Sequence, residues 1–471
     1  MNIKLREYQI QAVNVCREAY RNKFKSPLLV LPTGGGKTVV FCYIAEQAYK
    51  SGKRVYILVH RQELLRQTSE KLDTFGVRHG CIAPGHSMTG DAVQVASVQT
   101  LVRRLDKFPA PDLIIVDEAH HATAGTWQKI LSTWPDALKL GTTATAIRMD
   151  GKGLGVDCGG FFDTIAIGPN PAQLISMGFL AEPVIFAPPS GIDLTSIKVR
   201  AGDYEREELN KRVDKPKITG CAIEHYERIC NGIPAICFCV SVNHAEHVAS
   251  EFKAAGWAAE SLDGTMTDAV RKAKISALAN GQLNVLTSCD IISEGTDIPV
   301  VGAAILLRPT QSLGLYLQQV GRALRVYPGK DKAYILDHVG NCYRHGMPDD
   351  VRDWSLDGYD WKKAKENPAN DPATRIRQCE KCYGVYRTGA VSCPHCGYIP
   401  ESGREVVQVD GELKVVTRDM FKPKKKVEYA KPQENEMGRL IGLAKRLGLP
   451  GDIGYRTALS RANKRRFTSG N

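Results

Sequence analysis

Short apolar runs alternate with longer amphipathic stretches through the first 145 positions. Pro27–Leu31, Val55–Val59, Val93–Ala96, Leu113–Val116 and Leu138–Gly141 are the runs. They are continuous rather than alternating, as in strands buried on both faces of a parallel sheet. Lys37–Lys50 and Arg61–Phe75 have the length of crossover helices. A strand–helix–strand series of this kind predicts a doubly wound sheet. A second series begins near Lys217, with strands expected at Ala235–Val240, Leu283–Thr287, Val301–Leu307 and Lys332–Leu336. His244–Ala255 and Ala269–Asn280 are its helices. The fold class expected is therefore α/β, with two doubly wound parallel-sheet domains in tandem.

The Gly- and Pro-rich stretch from Gly151 to Pro216 carries no clear period. The organisation expected is residues 1–170 for the first α/β domain, 171–215 for a connector and 216–345 for the second α/β domain. A linker at 346–375, a small cysteine module at 376–400 and a basic region at 401–471 follow. No short-period repeat suggests a solenoid. At 471 residues, length alone suggests about three units.

Composition narrows the class. No stretch reaches the roughly 20 apolar residues of a membrane span, and Met1–Gln9 has no apolar signal core. Membrane and exported classes are disfavoured. The 63 Lys and Arg exceed the 51 Asp and Glu, for a formal charge of +12. The surplus is uneven, with 13 basic against 4 acidic residues from Phe421 to Asn471. That tail fits nucleic-acid phosphates, the alternative being a solubilising extension. Ten of the 14 cysteines are scattered, often within apolar runs. Such usage suits a reducing cytoplasm, in which a free thiol acts as a small hydrophobe.

Leu28–Thr38 carries the strongest local chemistry: an apolar strand, then Pro32-Thr33-Gly34-Gly35-Gly36-Lys37-Thr38, then a helix. Glycines let backbone amides approach phosphate oxygens, and the helix N-terminus adds positive potential. Lys37 is expected on the β- and γ-phosphates of ATP and the Thr38 hydroxyl on Mg²⁺. The strict pattern has glycine six residues before the lysine, where Leu31 stands. Leu113–His120 ends a strand in Asp117-Glu118-Ala119-His120. Carboxylates at that sheet edge face the ligand side of an open α/β sheet. Asp117 is expected to hold Mg²⁺ and Glu118 to orient or deprotonate the attacking water.

Together these two motifs resemble the superfamily 2 helicases in their Asp-Glu-Ala-His form, which implies two RecA-like domains and an ATP-driven helicase or translocase. Within that superfamily the chain is similar to phage and bacterial repair-type DNA helicases. The likeness extends over most of the first 345 residues. It makes Leu5–Gln9 an adenine-reading segment, with Arg6 and Gln9 its polar members. Val59–Arg66 and Ala96–Leu101 become strand-tracking motifs, and Gly141–Thr145 the coupling motif, followed here by Ala146 rather than proline. Thr287–Pro299 matches the fifth motif, which places Gly295 and Asp297 beside the nucleotide. Gln318–Arg325 matches the sixth and makes Arg322 and Arg325 the arginine pair, with Arg325 the finger on the γ-phosphate. Ser241, Asn243 and Thr287 fall on the strand-gripping side by the same likeness.

Cys379 and Cys382, then Cys393 and Cys396, form two close pairs separated by ten residues. That spacing suits one tetrahedral Zn²⁺ in a closed, structural ribbon. Gly384 and Gly397 are expected to ease the two turns, with His395 a bystander. The function expected is an ATP hydrolase acting as a DNA helicase or translocase. The alternatives are an RNA helicase and the motor of a restriction or nuclease assembly. Nucleic acid is the partner implied, DNA before RNA, with no membrane and with a protein partner open to the ribbon or the tail.

Overall fold

The computed structural model describes residues 4–122, 125–148, 152–187, 197–200, 203–214, 216–289, 298–357 and 375–400. Strands β1 (Pro27–Val30), β2 (Val55–Val59), β3 (His79–Ile82), β4 (Val93–Ser97), β5 (Leu113–Asp117), β6 (Leu138–Thr143) and β7 (Thr164–Ile167) form one seven-stranded sheet. Its order is β3-β4-β2-β5-β6-β1-β7, and every pair is parallel. Helices α1 (Glu7–Arg21), α2 (Lys37–Lys50), α3 (Gln62–Thr74), α4 (Val98–Leu101) and α5 (Gly125–Thr133) belong to this half. Successive strand residues point to opposite faces. Leu29, Ile57 and Ile115 enter one buried cluster, while Leu28, Leu58 and Ile114 enter another. Cores on both faces explain the unbroken apolar runs.

Helix α6 (Pro171–Ser176) leads into β8 (Glu182–Phe186). A two-stranded antiparallel ribbon follows, β9 (Val199–Arg200) with β10 (Asp203–Tyr204), and then α7 (Arg206–Val213) and α8 (Pro216–Ile229). The second sheet adds β11 (Ala235–Phe238), β12 (Ala259–Leu262), β13 (Val285–Ser288), β14 (Ala303–Leu306), β15 (Lys332–Asp337), β16 (Ile376–Gln378) and β17 (Gly384–Arg387). Its order is β12-β13-β11-β14-β15-β8-β17-β16. Helices α9 (Val242–Ala254), α10 (Asp268–Ala279), α11 (Leu313–Ala323) and α12 (Asn341–His345) complete it. Cys237 lies on one buried face with Ala303 and Ile305, opposite Ile236 and Leu306 on the other. The scattered thiol here does act as a small hydrophobe.

The span expected as a connector carries β8, which pairs parallel with β15, Ile185 opposite Ile335. Pro183 obscured it, since proline argues against a strand; here it sits in the second position, at the strand's start. β17 then pairs antiparallel with β8, so the cysteine hairpin forms the edge of the second sheet rather than a detached module. The span expected as a linker makes a second crossing. Trp354 and Leu356 pack against the first sheet's core, and Gly155 donates its amide to the Leu356 carbonyl at 3.0 Å. The basic tail and the central fifth-motif residues Gly295 and Asp297 lie outside the described residues.

Candidate functional site

The turn from β1 to α2 is built by glycine. Gly34 and Gly36 take φ of +83° and +76°, the left-handed region that other residues adopt at a cost. A side chain on Gly35 would press on the Pro32 carbonyl at 2.9 Å, and one on Gly36 would meet Gln9 Nε2 at 2.5 Å. Leu31 belongs to the core instead of the turn. It is fully buried and fits because Gly168 leaves room for its methyl group.

Asp117 ends β5 and is 3% exposed. Its Oδ1 accepts from the Thr142 hydroxyl at 3.1 Å and the Glu118 amide at 3.0 Å. Burial pushes its carboxyl up to about 7, the Glu118 charge adding and Lys37 opposing. Glu118 adopts φ +49°, a strained value for a side-chain-bearing residue of the kind concentrated at functional sites. Its Oε1 lies 3.9 Å from Lys37 Nζ. Among the described residues its Oε2 finds no hydrogen-bond donor; His120 Nδ1, 3.4 Å away, is engaged with the Thr143 hydroxyl at 3.1 Å.

The second sheet closes over this turn through α11. A Cβ on Gly321 would lie 2.6 Å from Thr33 Cβ, so the glycine of the sixth-motif match is what lets α11 touch the phosphate loop. A Cβ on Gly34 would meet Leu180 at 2.8 Å and Arg325 Cγ at 3.5 Å, and one on Gly314 would meet the Thr145 hydroxyl at 3.1 Å. Between the sheets lies a cavity of about 1340 Å³. Lys37, Thr38, Asp117 and Glu118 line it from one side, Gln318, Arg322 and Arg325 from the other. Arg6, Thr33, Gly34 and Gly36 also face it.

Gln9 does not. It is buried, its amide nitrogen against Gly36 and its oxygen accepting the Arg6 amide at 3.0 Å. Pro32 and Gly35 are likewise absent from the cavity wall, and the Gly35 carbonyl accepts from the Tyr8 hydroxyl at 3.1 Å. A residue the sequence did not reveal takes the place beside Arg6: Phe179, whose ring lies 4.4 Å from the Arg6 guanidinium carbon and 5.0 Å from the Tyr8 ring. An aromatic after a short helix has no local signature, and only the α6 crossing brings it here.

On the expected strand-gripping side, Arg61 lines the same cleft. Ser97 donates to Gln99 at 2.9 Å and Gln99 to the His60 carbonyl at 3.4 Å, which ties the two tracking motifs together. Ser241 and Thr287 turn inward. Ser241 caps α9 and donates to Asn210 at 2.8 Å, while the buried Thr287 hydroxyl donates to the Ala245 carbonyl at 2.7 Å.

The sulfurs of Cys379, Cys382, Cys393 and Cys396 all lie within 4.8 Å of one another. Cys379 to Cys396 is 3.6 Å and Cys382 to Cys393 is 3.7 Å. A tetrahedral ion with Zn–S bonds near 2.3 Å requires about 3.8 Å between sulfurs, so the set fits zinc. Burial raises the Cys379 thiol, but the backbone amides of Cys382 and Lys381 outweigh it and bring the group down to about 7. The first turn differs from expectation. Tyr383 takes the left-handed conformation, φ +62°, and Gly384 instead makes room for the His395 ring, 2.4 Å from where its Cβ would sit. Gly397 does ease the second turn, at φ +73°.

Residues 2–148 match the family model described as the res subunit of type III restriction enzymes, and residues 221–327 match the helicase conserved C-terminal domain. The chain is 33% identical to the 51.5 kDa protein of a Lactococcus phage (isolate 7-9), over 83% of each chain. It is 30% identical to IRC3 of Saccharomyces cerevisiae, named as a candidate ATP-dependent helicase, over 71% of this chain and 51% of that one. It therefore spans most of the phage relative but only about half of the yeast one. Among solved structures, the ATP-dependent type ISP restriction-modification enzyme LlaBIII bound to DNA superposes with a TM-score of 0.53 at 19% identity. That match covers 71% of this chain and 28% of that one, and shows the shared fold. Two α/β sheets, one parallel and one largely so, meeting over a phosphate loop, with both helicase domain models matched in order, place the chain among the ATP-hydrolysing helicases of superfamily 2, related to the phage and bacterial restriction-type branch.

Proposed function

We propose that the protein uses ATP hydrolysis to move along, or open, DNA. One observation carries the reading: Lys37, Asp117 and Glu118 from the first sheet share a cavity wall with Arg322 and Arg325 from the second. Lys37 would neutralise the β- and γ-phosphates. Thr38 and Asp117 would hold Mg²⁺; the buried, raised Asp117 beside a second carboxylate is a donor set that a divalent cation satisfies. When bound there, Mg²⁺ would screen phosphate charge. Glu118 would take the proton of the attacking water, and Arg325 would stabilise charge on the transferring group. A site completed by the second sheet forms only on closure, so ATP favours the closed arrangement and product release permits opening. Arg6 and Phe179 would frame the base, a platform the sequence-based choice of Gln9 missed. Gly295 and Asp297 remain nucleotide-side candidates by resemblance.

Fold alone does not choose between DNA and RNA. The +12 charge and the basic tail suit either polyanion, and the restriction-type relatives favour DNA. The four thiolates would hold a structural Zn²⁺ that fastens the hairpin at the second sheet's edge. A second reading, the motor of a restriction assembly with a protein partner on the hairpin or the tail, draws on the same relatives. Among the described residues no helix is long and apolar enough to cross a membrane; a reducing cytoplasm, bacterial or phage-infected, fits the free cysteines. The test is ATPase activity with single-stranded, duplex and forked DNA and with RNA in turn. DNA should stimulate most. Stimulation by RNA alone refutes DNA, and stimulation by neither refutes translocation.

A further inference from the structure

We propose that Lys330 is a positioning residue for Arg325, its ammonium fastening the backbone that carries the arginine to the segment where the fifth-motif match ends. The inference rests on the reading of Arg325 as the finger. Lys330 Nζ donates to the carbonyls of Arg325 at 2.6 Å, Val301 at 2.5 Å and Pro299 at 3.3 Å. An ammonium has three protons, and here each finds a carbonyl. The acceptors come from two stretches distant in sequence: Pro299 and Val301 lead into β14, and Arg325 follows α11 directly.

The local sequence aims the side chain. Lys330 donates its amide to the Tyr327 carbonyl at 2.9 Å, and Gly329 takes φ +79°. Pro328 and Gly329 are the residues a type II turn prefers at its two central positions. The turn folds the chain back, so Lys330 reaches the carbonyl five residues upstream. On the opposite flank Arg325 bridges Leu180, and the Ala181 amide donates to the Leu324 carbonyl at 2.8 Å. Arg325 is thus held between the α6–β8 crossing and the lysine clamp. Its side chain leaves this clamped backbone toward Gly34 of the phosphate loop.

The clamp is an ionised group under strain of burial. Desolvation, with the Arg325 charge adding, lowers Lys330 to about 8. The other charged or titratable side chains on the surrounding segments are Arg322, Tyr327, Asp331, Lys332 and Glu182; Arg325 is the one acting on the ammonium. A misplacement of about 1 Å at a reacting group can cost about 100-fold in rate. Loosening the Arg325 backbone therefore acts on turnover more than on nucleotide binding.

The experiment compares Lys330→Met, Lys330→Arg and Arg325→Ala in the full chain, measuring kcat and KM for ATP from pH 6.5 to 10. Lys330→Met should lower kcat about 10- to 100-fold while KM changes less than about threefold. The wild type should lose turnover as pH rises through about 8, the ammonium losing its third proton donor. Lys330→Arg stays charged throughout, so it should recover turnover and move that alkaline limb upward. Full activity in Arg325→Ala would overturn the finger reading and this inference with it. Loss in Arg325→Ala with wild-type kcat in Lys330→Met would overturn the positioning role alone. Should Lys330→Met fail to fold, an alkaline limb unmoved in Lys330→Arg overturns it equally.

Discussion

Gly321→Ala tests whether contact between α11 and the phosphate loop is the closure on which hydrolysis depends. The added methyl carbon would stand 2.6 Å from Thr33 Cβ and 2.7 Å from Cγ2. Carbon atoms in contact sit about 3.5–4.0 Å apart, so the overlap is about 1 Å. Thr33 Cβ is fixed to the loop backbone and cannot swing aside as a flexible chain end would. Overpacking of this kind costs about 1–3 kcal/mol. Because the clash exists only when the sheets meet, the cost falls on closure, which should become about 5- to 150-fold less favourable. Gly321 lies within α11, and alanine is about 1 kcal/mol better than glycine in a helix interior. Thermal stability should therefore hold or rise while activity falls, a split that ordinary core damage does not produce. The assay pairs a melting curve with kcat/KM for ATP at saturating single-stranded DNA. A Gly321→Ala protein with wild-type kcat/KM would refute the claim that this contact marks the active arrangement. A variant that melts early would instead place the clash in the ground-state core.

Three further outcomes are expected. Glu118→Gln should retain ATP binding and lose about 10²- to 10⁴-fold in turnover, read by nucleotide fluorescence and phosphate release; normal turnover removes Glu118 from its role. Metal analysis of reduced protein should give one zinc per chain, and Cys382→Ser should lose it and expose residues 376–400 to limited proteolysis; metal-free wild-type protein would defeat the assignment. Deleting residues 421–471 should weaken DNA binding and flatten its dependence on salt, because fewer counterions are released; an unchanged slope returns the tail to a solubilising extension.

What was legible in the sequence follows from where the signal lies. Strands β1, β2 and β5 announced themselves because both of their faces are buried, and α2 runs from Lys37 to Lys50 as its pattern implied. Lys37, Asp117 and Glu118 stood out in the sequence by residue type and spacing, Arg322 and Arg325 by resemblance to the sixth motif, and all five line one cavity. β3 and β12, His-Gly-Cys-Ile and Ala-Glu-Ser-Leu, were not, since four mixed residues carry no period. The pairing of β17 with β8 was hidden by distance along the chain: Gln378 donates to the Ala187 carbonyl across 191 residues. Phe179 and Gln9 exchanged places for the same reason, because the α6 crossing rather than the local motif decides which side chain reaches the cavity.

After β15 the chain runs back to pack Trp354 and Leu356 into the first sheet's core, seating the Leu356 carbonyl where Gly153 and Gly155 have no side chains to obstruct it. The chain thus passes between the halves outward through α6 and back after β15, and the place of β16 and β17 in the second sheet requires a further passage. A panel hung on a single cord can turn any way, whereas each further cord removes a direction of swing. The returning segment would thereby narrow the directions open to the stroke that nucleotide exchange drives.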